Sequence, residues 1–283
     1  MKQQPRVAIL GNPNCGKTAI FNLLTGLNQK VSNYPGITVE KKTSSVKLTN
    51  NKSFDLEDYP GSYSIISQSI DEDIVSDNVY NWIRQEDQRP DAIIYVIDIN
   101  NLRRNLYFCT QLLELNIPTV ILLNMIDIVS DNNKIDHIKL REELNVQDVI
   151  PFSAATKEGI NQLKNTLSNI FSKDEICKHN TLNFSENIIQ MLNPLNTVIG
   201  DVFSISGQLL YSTSFRFVYN HNHMNKISIN LSDKKNISDN SNKVLDTIDK
   251  DMKPLLGTME SDLRYGWIDE LLLRSSFKKI KVI

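Results

Sequence analysis

The chain has 283 residues, of which 31 are Lys or Arg and 33 are Asp or Glu, so its formal net charge is −2. This balance lacks the basic excess typical of nucleic-acid-binding proteins, and we expect no nucleic-acid partner. With 40% hydrophobic and 23% charged residues, and no apolar run of the ~18 residues that a membrane span requires, the composition predicts a soluble globular chain. Its three scattered cysteines fit a reducing cytoplasm better than a disulfide framework.

Residues 1–172 predict a doubly wound α/β domain. Apolar runs typical of buried parallel strands occur at 7–10, 93–97 and 119–123, and segments with helical periodicity lie between them. Repeated βαβ units of this kind bind their ligand at the carboxyl ends of the strands. Residues 39–58 differ, because two strand-like runs flank a polar turn and predict an antiparallel hairpin at the edge of the sheet.

Residues 173–283 predict a second, smaller and mostly helical domain. Helical periodicity is present at 186–195 and 244–256. Residues 220–242 hold seven Asn and four Ser, and this polar composition predicts a mobile loop. Residues 274–283 carry four basic side chains and no acidic one, and they form either a solvated basic tail or a juxtamembrane segment that binds an anionic surface.

A phosphate-binding motif follows the first predicted strand. The stretch GNPNCGKT at residues 11–18 fits G-x-x-x-x-G-K-[ST] without a mismatch and precedes a predicted helix. Its glycines let successive backbone N–H groups face phosphate oxygens, and the helix presents its positive N-terminus to the same anion. Lys17 should reach the β- and γ-phosphates, and the Thr18 hydroxyl should bind Mg²⁺. The predicted nucleotide contacts here are Gly11, Asn12, Pro13, Asn14, Cys15, Gly16, Lys17, Thr18 and Ala19.

A base-recognition motif, N-x-x-D, follows the strand at 119–123. The Asp127 carboxylate can accept two hydrogen bonds from guanine, and adenine offers no such pair of donors, so this motif favours guanine. Met125 occupies the position where the GTPase pattern usually has Lys, and it can cover the base without adding charge. The downstream Phe152-Ser153-Ala154 is the usual final guanine-contacting turn. The predicted base contacts are Asn124, Met125, Asp127, Ser153 and Ala154.

The motif D-x-x-G at residues 58–61 predicts the magnesium and γ-phosphate sensors. Asp58 would hold the metal through water, and the Gly61 N–H would meet the γ-phosphate. Upstream, the Thr38 hydroxyl could close over Mg²⁺ only when a third phosphate is present. Ser62 follows Gly61 where Ras-like GTPases place the Gln that orients the attacking water, so either hydrolysis is slow or water is positioned by other means.

Four of these segments together resemble one family. GNPNCGKTAIFNLLTG, SNYPGITVEKK, DYPGSYSIISQSIDEDIVSD and NMID occur in order within residues 5–165, and they resemble the cytosolic N-terminal GTPase part of ferrous iron transport protein B. The resemblance implies a Ras-like P-loop GTPase fold, followed by a helical domain that helps to retain GDP and leads to the membrane portion. It also implies hydrolysis stimulated by K⁺, with Asn14 helping to hold the cation beside catalytic Lys17, Thr38 and Gly61.

The resemblance implies a location and a partner as well. We expect the chain to act at the cytoplasmic face of the bacterial inner membrane, next to the membrane domain of an iron transporter, and to be a piece of that transporter or a naturally separate protein. The sequence is also compatible with a homo-oligomer.

The predicted function is a GTPase that switches between GTP and GDP states to gate Fe(II) uptake. One alternative is a soluble GTPase of ribosome or tRNA maturation, although such proteins usually carry N-K-x-D and a basic surface. The other alternative is a nucleotide-gated interaction module, in which hydrolysis only resets binding.

Overall fold

A computed structural model of the chain describes residues 4–26, 30–33, 40–48, 52–128, 135–173, 177–220, 229–248, 250 and 253–276. The strands in these ranges are β1 (Arg6–Gly11), β2 (Lys30–Asn33), β3 (Glu40–Lys47), β4 (Ser53–Asp58), β5 (Ala92–Asp98), β6 (Thr119–Asn124) and β7 (Asp148–Pro151). The helices are α1 (Lys17–Thr25), α2 (Ile70–Arg84), α3 (Leu102–Leu113), α4 (His137–Leu144), α5 (Ile160–Ile170), α6 (Glu186–Met191), α7 (Asn193–Phe203), α8 (Gly207–Tyr219), α9 (Leu231–Thr247) and α10 (Leu256–Arg274).

The described strands form one seven-stranded sheet in the order β2-β3-β4-β1-β5-β6-β7. The pairs β1–β4, β1–β5, β5–β6 and β6–β7 are parallel, whereas β2–β3 and β3–β4 are antiparallel. The mostly parallel sheet and its antiparallel hairpin, predicted from sequence, are therefore confirmed. Strand β2 lies outside the hairpin and was not predicted, because its only apolar side chain, Val31, is 51% exposed and gives no apolar run.

The central strands bring their carboxyl ends to the same edge of the sheet. Nearly every residue of β1, β5 and β6 is buried, which is why these strands are continuously apolar rather than alternating. In the parallel register Ile9 pairs with Asp58, and Asp98 pairs with Asn124. The loops that leave β1, β4 and β6 therefore begin side by side, at the edge where such a sheet binds its ligand.

Contacts divide the chain into two compact units that are not separated by a single cut. The first, called the sheet unit here, takes in residues 1–65, 90–180 and 268–283, and the second, the helical unit, takes in 66–89 and 181–267. Helix α2 thus groups with the helical unit, and residues 268–276 group with the sheet unit. The domain boundary after residue 172 stays a prediction. Each compact unit contains residues from both sides of that position.

The helical unit has its own aromatic and charged core. The rings of Tyr80, Phe203 and Phe217 lie with centroids 5.9–6.0 Å apart in all three pairs. Arg216 and Arg264 are both buried and bind the buried carboxylate of Glu260. The mostly helical character predicted for this part of the chain is confirmed in the residues described.

The prediction of a mobile loop over 220–242 is wrong for its second half. Helix α9 begins at Leu231, and the side chain of Asn230 caps it by accepting a 2.8 Å hydrogen bond from the Asp233 N–H. Three residues at helical spacing, Ile237, Ser241 and Val244, are buried. This narrow stripe anchors an otherwise polar helix, and residues 221–228 lie outside the described ranges. The helix predicted over 244–256 is also interrupted, since α9 ends at Thr247 and α10 starts at Leu256.

Arg274 is the first basic residue of the predicted tail, and it forms ion pairs. Its guanidinium lies 2.8 Å from the Glu143 carboxylate and 3.6 Å from that of Glu270. Residues 277–283 of the tail lie outside the described ranges. Among the helices that the structure describes, none has the length and apolarity needed to span a bilayer.

Candidate functional site

The loop that follows β1 has the tight winding of a phosphate-binding loop. A Cβ atom on Gly11 would lie 2.5 Å from the Val96 carbonyl oxygen, so no other residue fits beneath β5. Asn14 has a left-handed φ of 63°, which Asn tolerates better than most residues. The Cys15 N–H donates to the Asn12 carbonyl at 3.4 Å and closes the turn. Local sequence therefore dictates the compact loop at residues 11–16.

Lys17 stands at the start of α1 beside the carboxylate of Asp58. Its side chain is only 9% exposed, and the helix N-terminus adds further positive potential at this point. Burial raises the pKa of the Asp58 carboxyl, and the positive charges of Lys17 and Lys42 oppose that shift. The pKa of the Cys15 thiol is likewise raised by burial and lowered by Lys17. Thr18 and Ala19 follow on the exposed side of the helix.

The D-x-x-G segment lies directly against the phosphate loop. The Tyr59 N–H donates to the Ile9 carbonyl and the Ser62 N–H to the Gly11 carbonyl, both at 3.3 Å. A Cβ atom on Gly61 would lie 2.8 Å from Cα of Pro13, so only glycine permits this approach. The structure thus brings the predicted γ-phosphate sensor next to the predicted phosphate loop.

One buried amide connects the phosphate loop to the base-recognition loops. Asn124, which is 2% exposed, donates from Nδ2 to the Cys15 carbonyl at 2.9 Å. Its Oδ1 accepts from the Ala154 N–H at 3.3 Å. Met125 adopts a left-handed φ of 69°, and Asp127 is exposed in the single turn Ile126–Ile128. The loops after β1, β6 and β7 therefore meet at one side chain.

Ser153 supports the last of these loops from inside. It is fully buried, and its Oγ accepts a 3.1 Å hydrogen bond from the Thr156 N–H. Of the residues predicted to form the site, those in 11–19, 58–61, 124–127 and 153–154 lie at one edge of the sheet. Thr38 lies outside the described residues.

Three buried polar residues near the site were missed by the sequence analysis. The Tyr95 hydroxyl lies 2.9 Å from Oδ1 of Asn12 and 2.9 Å from the carbonyl oxygen of Asn105. Oε1 of Gln111 accepts hydrogen bonds from residues that follow Gly61. A usable signal existed, because Asn105 and Gln111 are polar residues inside the apolar helical run that forms α3.

Comparison with known proteins gives a consistent result. The sequence model of a family described as ferrous iron transport protein B matches residues 5–167. The Fe(2+) transporter FeoB of Legionella pneumophila strain Paris is 41% identical over 192 residues, which make up 66% of this chain and 24% of that protein. The chain therefore spans about a quarter of the length of the curated relatives it matches.

Solved structures match nearly the whole chain. The cytosolic domain of L. pneumophila FeoB has 33% identity and a TM-score of 0.73, with 94% of this chain and 97% of that chain covered. A mutant of S. thermophilus NFeoB bound to mGDP has 28% identity and a TM-score of 0.75, with 97% and 100% covered. The P-loop GTPase fold with a helical C-terminal part is thereby confirmed.

Proposed function

Because the chain belongs to the ferrous iron transport protein B family, we propose that it binds guanine nucleotides and hydrolyses GTP as the regulatory domain of a ferrous iron transporter. The observation that carries this proposal is the Asn124 side chain, which holds the phosphate loop and the Ala154 loop in one site. A single ligand with phosphates at one end and a base at the other matches that arrangement.

The phosphates are bound by the loop at 11–18. Backbone N–H groups and the N-terminus of α1 face the anion, and Lys17 adds a nearly buried positive charge. The Gly61 N–H meets the third phosphate. Lys17 and Gly61 then stabilise the negative charge that develops during in-line attack by water.

Guanine is selected by the loops after β6 and β7. Asp127 accepts hydrogen bonds from the base, Met125 covers the ring, and the loop at 153–154 closes the pocket. A carboxylate facing adenine would be left without donors, which disfavours the wrong base. The mGDP-bound S. thermophilus relative supports this choice.

A Mg²⁺ ion fits the oxygen donors at the phosphate end. Thr18 offers a hydroxyl and Asp58 a carboxylate, and hard oxygen ligands of this kind suit Mg²⁺. A nearby divalent cation would also favour the charged form of Asp58, whose pKa is raised by burial. Thr38 would complete the set when GTP is present. When bound, the metal neutralises charge on the phosphate oxygens. Asn14 would help to hold K⁺ beside the same phosphates.

We expect GTP hydrolysis to be slow, because the Ser62 side chain already forms hydrogen bonds with Ser64. Its hydroxyl donates to the Ser64 carbonyl at 2.7 Å and accepts from the Ser64 N–H at 3.3 Å. The side chain after Gly61 is therefore used to form a turn rather than to orient water. The GTP and GDP states would gate Fe(II) uptake through a membrane domain at the cytoplasmic face of the inner membrane, in keeping with a relative of which the matched segment makes up only 24%.

The test is calorimetric titration of GDP, a non-hydrolysable GTP analogue and ADP in the presence of Mg²⁺. Asp127→Ala is expected to lose about two orders of magnitude in GDP affinity, since hydrogen bonds to a charged acceptor disappear. Lys17→Ala is expected to abolish tight binding of the GTP analogue. The matched control is Asp262→Ala, which removes an exposed carboxylate from α10 and should leave all affinities unchanged.

Two outcomes would contradict the proposal. Comparable affinities for ADP and GDP would remove the guanine-specific role of Asp127. Equal turnover rates in KCl and NaCl would remove the role given to Asn14.

A further inference from the structure

The backbone that follows the D-x-x-G motif is attached to the phosphate loop at its start. Gly61 lies against Pro13, and the Ser62 N–H donates to the Gly11 carbonyl at 3.3 Å. Ser62 is fully buried and folds the chain into a turn through its two hydrogen bonds with Ser64. Local contacts therefore fix the backbone conformation from Gly61 to Ser64.

The next two residues are attached to helix α3 by Gln111. Its Oε1 accepts a hydrogen bond from the Ser64 hydroxyl at 3.1 Å and another from the Ile65 N–H at 3.0 Å. Gln111 is 0% exposed and Ile65 is 1% exposed, so no water replaces this acceptor if it is removed. A buried backbone N–H thus depends on one side chain that lies 46 positions further along the chain.

A second contact from α3 reaches the same segment. The guanidinium carbon of Arg104 lies 4.2 Å from the centroid of the Tyr63 ring, a cation–π arrangement. Tyr63 is partly exposed, so this contact is weaker than the buried one. The segment 62–65 is therefore held between the phosphate loop on one side and α3 on the other, all within the sheet unit.

We propose that Gln111 is a positioning residue for the third phosphate. By holding Ser64 and Ile65 on α3, it keeps the Gly61 backbone against the phosphate loop, where its N–H meets a γ-phosphate but has no partner in a diphosphate. Gln111 thereby favours the triphosphate over the diphosphate without touching either. This inference rests on the proposed guanine-nucleotide function.

The test compares Gln111→Met with the unaltered chain. Met has a similar length, forms helices well and lacks the acceptor. Calorimetry with Mg²⁺ should show that the Kd of the non-hydrolysable GTP analogue rises about tenfold, while the Kd of GDP changes less than about twofold. Ser64→Ala removes one of the two hydrogen bonds and should raise the Kd of the analogue about threefold.

Gln147→Met is the matched control. Gln147 also accepts a backbone hydrogen bond, from the Thr119 N–H at 2.5 Å, but it lies at the opposite end of β6 from the nucleotide site. It should destabilise the fold to a similar extent and leave the ratio of the two Kd values unchanged. A general loss of stability is thereby distinguished from a loss of triphosphate preference.

The outcomes separate this inference from the proposed function. If the unaltered chain binds neither nucleotide, the proposed function fails. If it binds both, and Gln111→Met weakens them equally or not at all, Gln111 has only a structural role and the inference is overturned. If Gln111→Met does not fold, Ser64→Ala decides, and an unchanged ratio of Kd values in that variant overturns the inference.

Discussion

Glu260 is a fully buried carboxylate in the helical unit that binds two arginines. Arg216 donates to its Oε1 at 2.9 and 3.1 Å, Arg264 donates to the same oxygen at 2.9 Å, and the Tyr219 hydroxyl donates to Oε2 at 2.8 Å. Burial raises the pKa of Glu260, but the two guanidinium groups outweigh burial and lower it to about 2. The carboxylate therefore stays charged in the folded helical unit at any physiological pH.

Glu260→Gln is expected to lower the free energy of unfolding by about 3–5 kcal/mol at pH 7, because it leaves buried guanidinium groups without their counter-charge. Since the folded pKa of about 2 lies below the ordinary value of 4.5, the stabilisation is present above pH 4.5 and is lost as the pH falls towards 2. Urea unfolding at pH 7, 5 and 3.5 measures this. The difference in unfolding free energy between the variant and the unaltered chain should shrink only at pH 3.5.

The control for Glu260 is Glu270→Gln. Glu270 also has an Arg four residues later on α10, but its side chain is 71% exposed, and such pairs contribute about 0–1 kcal/mol. A loss from Glu270→Gln as large as that from Glu260→Gln would contradict the role assigned to burial.

At the level of elements, α9 is a polar helix held by one apolar stripe. Ile237→Ala is expected to lower the free energy of unfolding by about 2–5 kcal/mol, because Ile237 is fully buried and its loss leaves a cavity. Leu231→Ala in the same helix should change it by less than about 0.5 kcal/mol, since Leu231 is 84% exposed. Urea unfolding of both variants checks this, and equal losses would mean that α9 is not packed through Ile237.

The same helix marks the limit of sequence-based prediction here. Strands β1, β5 and β6 are predictable because burial on both faces makes them continuously apolar. The phosphate loop is predictable because its glycines are required by sterics. Helix α9 is not predictable in this way. Two buried apolar residues and one buried Ser among many Asn and Lys give only a weak helical periodicity, and tertiary contacts decide how the helix packs. Gln111 shows the same limit at the site, since its acceptor role depends on a segment far away in sequence.

At the scale of the whole molecule, both compact units contain residues from each side of position 172, and this determines what a truncation at that position removes. His179 follows the predicted domain boundary, yet its ring nitrogens lie 2.9 Å from the Asn145 carbonyl and 2.8 Å from that of Ile117, within the sheet unit. Burial lowers the pKa of His179, although both carbonyl contacts oppose this shift. A protein cut at residue 172 lacks both of these contacts.

A 1–172 truncation should therefore melt roughly 4–8 °C below a 1–180 truncation, on the basis of about 2 kcal/mol of contacts around His179. Both truncations also remove the rings that pack on Tyr80 of α2, so the full chain should melt above both. If the helical unit helps to retain GDP, as the family resemblance implies, both truncations should bind GDP more weakly than the full chain and to the same extent. Thermal melts and GDP titration of all three proteins check this, and full GDP affinity in 1–180 would contradict it.

The amide of Asn124 separates assembly of the site from recognition of the base. An aspartate there would have the right shape, but it would place a second acceptor 2.9 Å from the Cys15 carbonyl, and the two oxygens would repel each other. Asp127, three residues later, is exposed and makes no such demand on the fold. Under the proposed function, a change at Asp127 would therefore alter which base is bound without disturbing the loops, whereas a change at Asn124 would remove hydrogen bonds that join them.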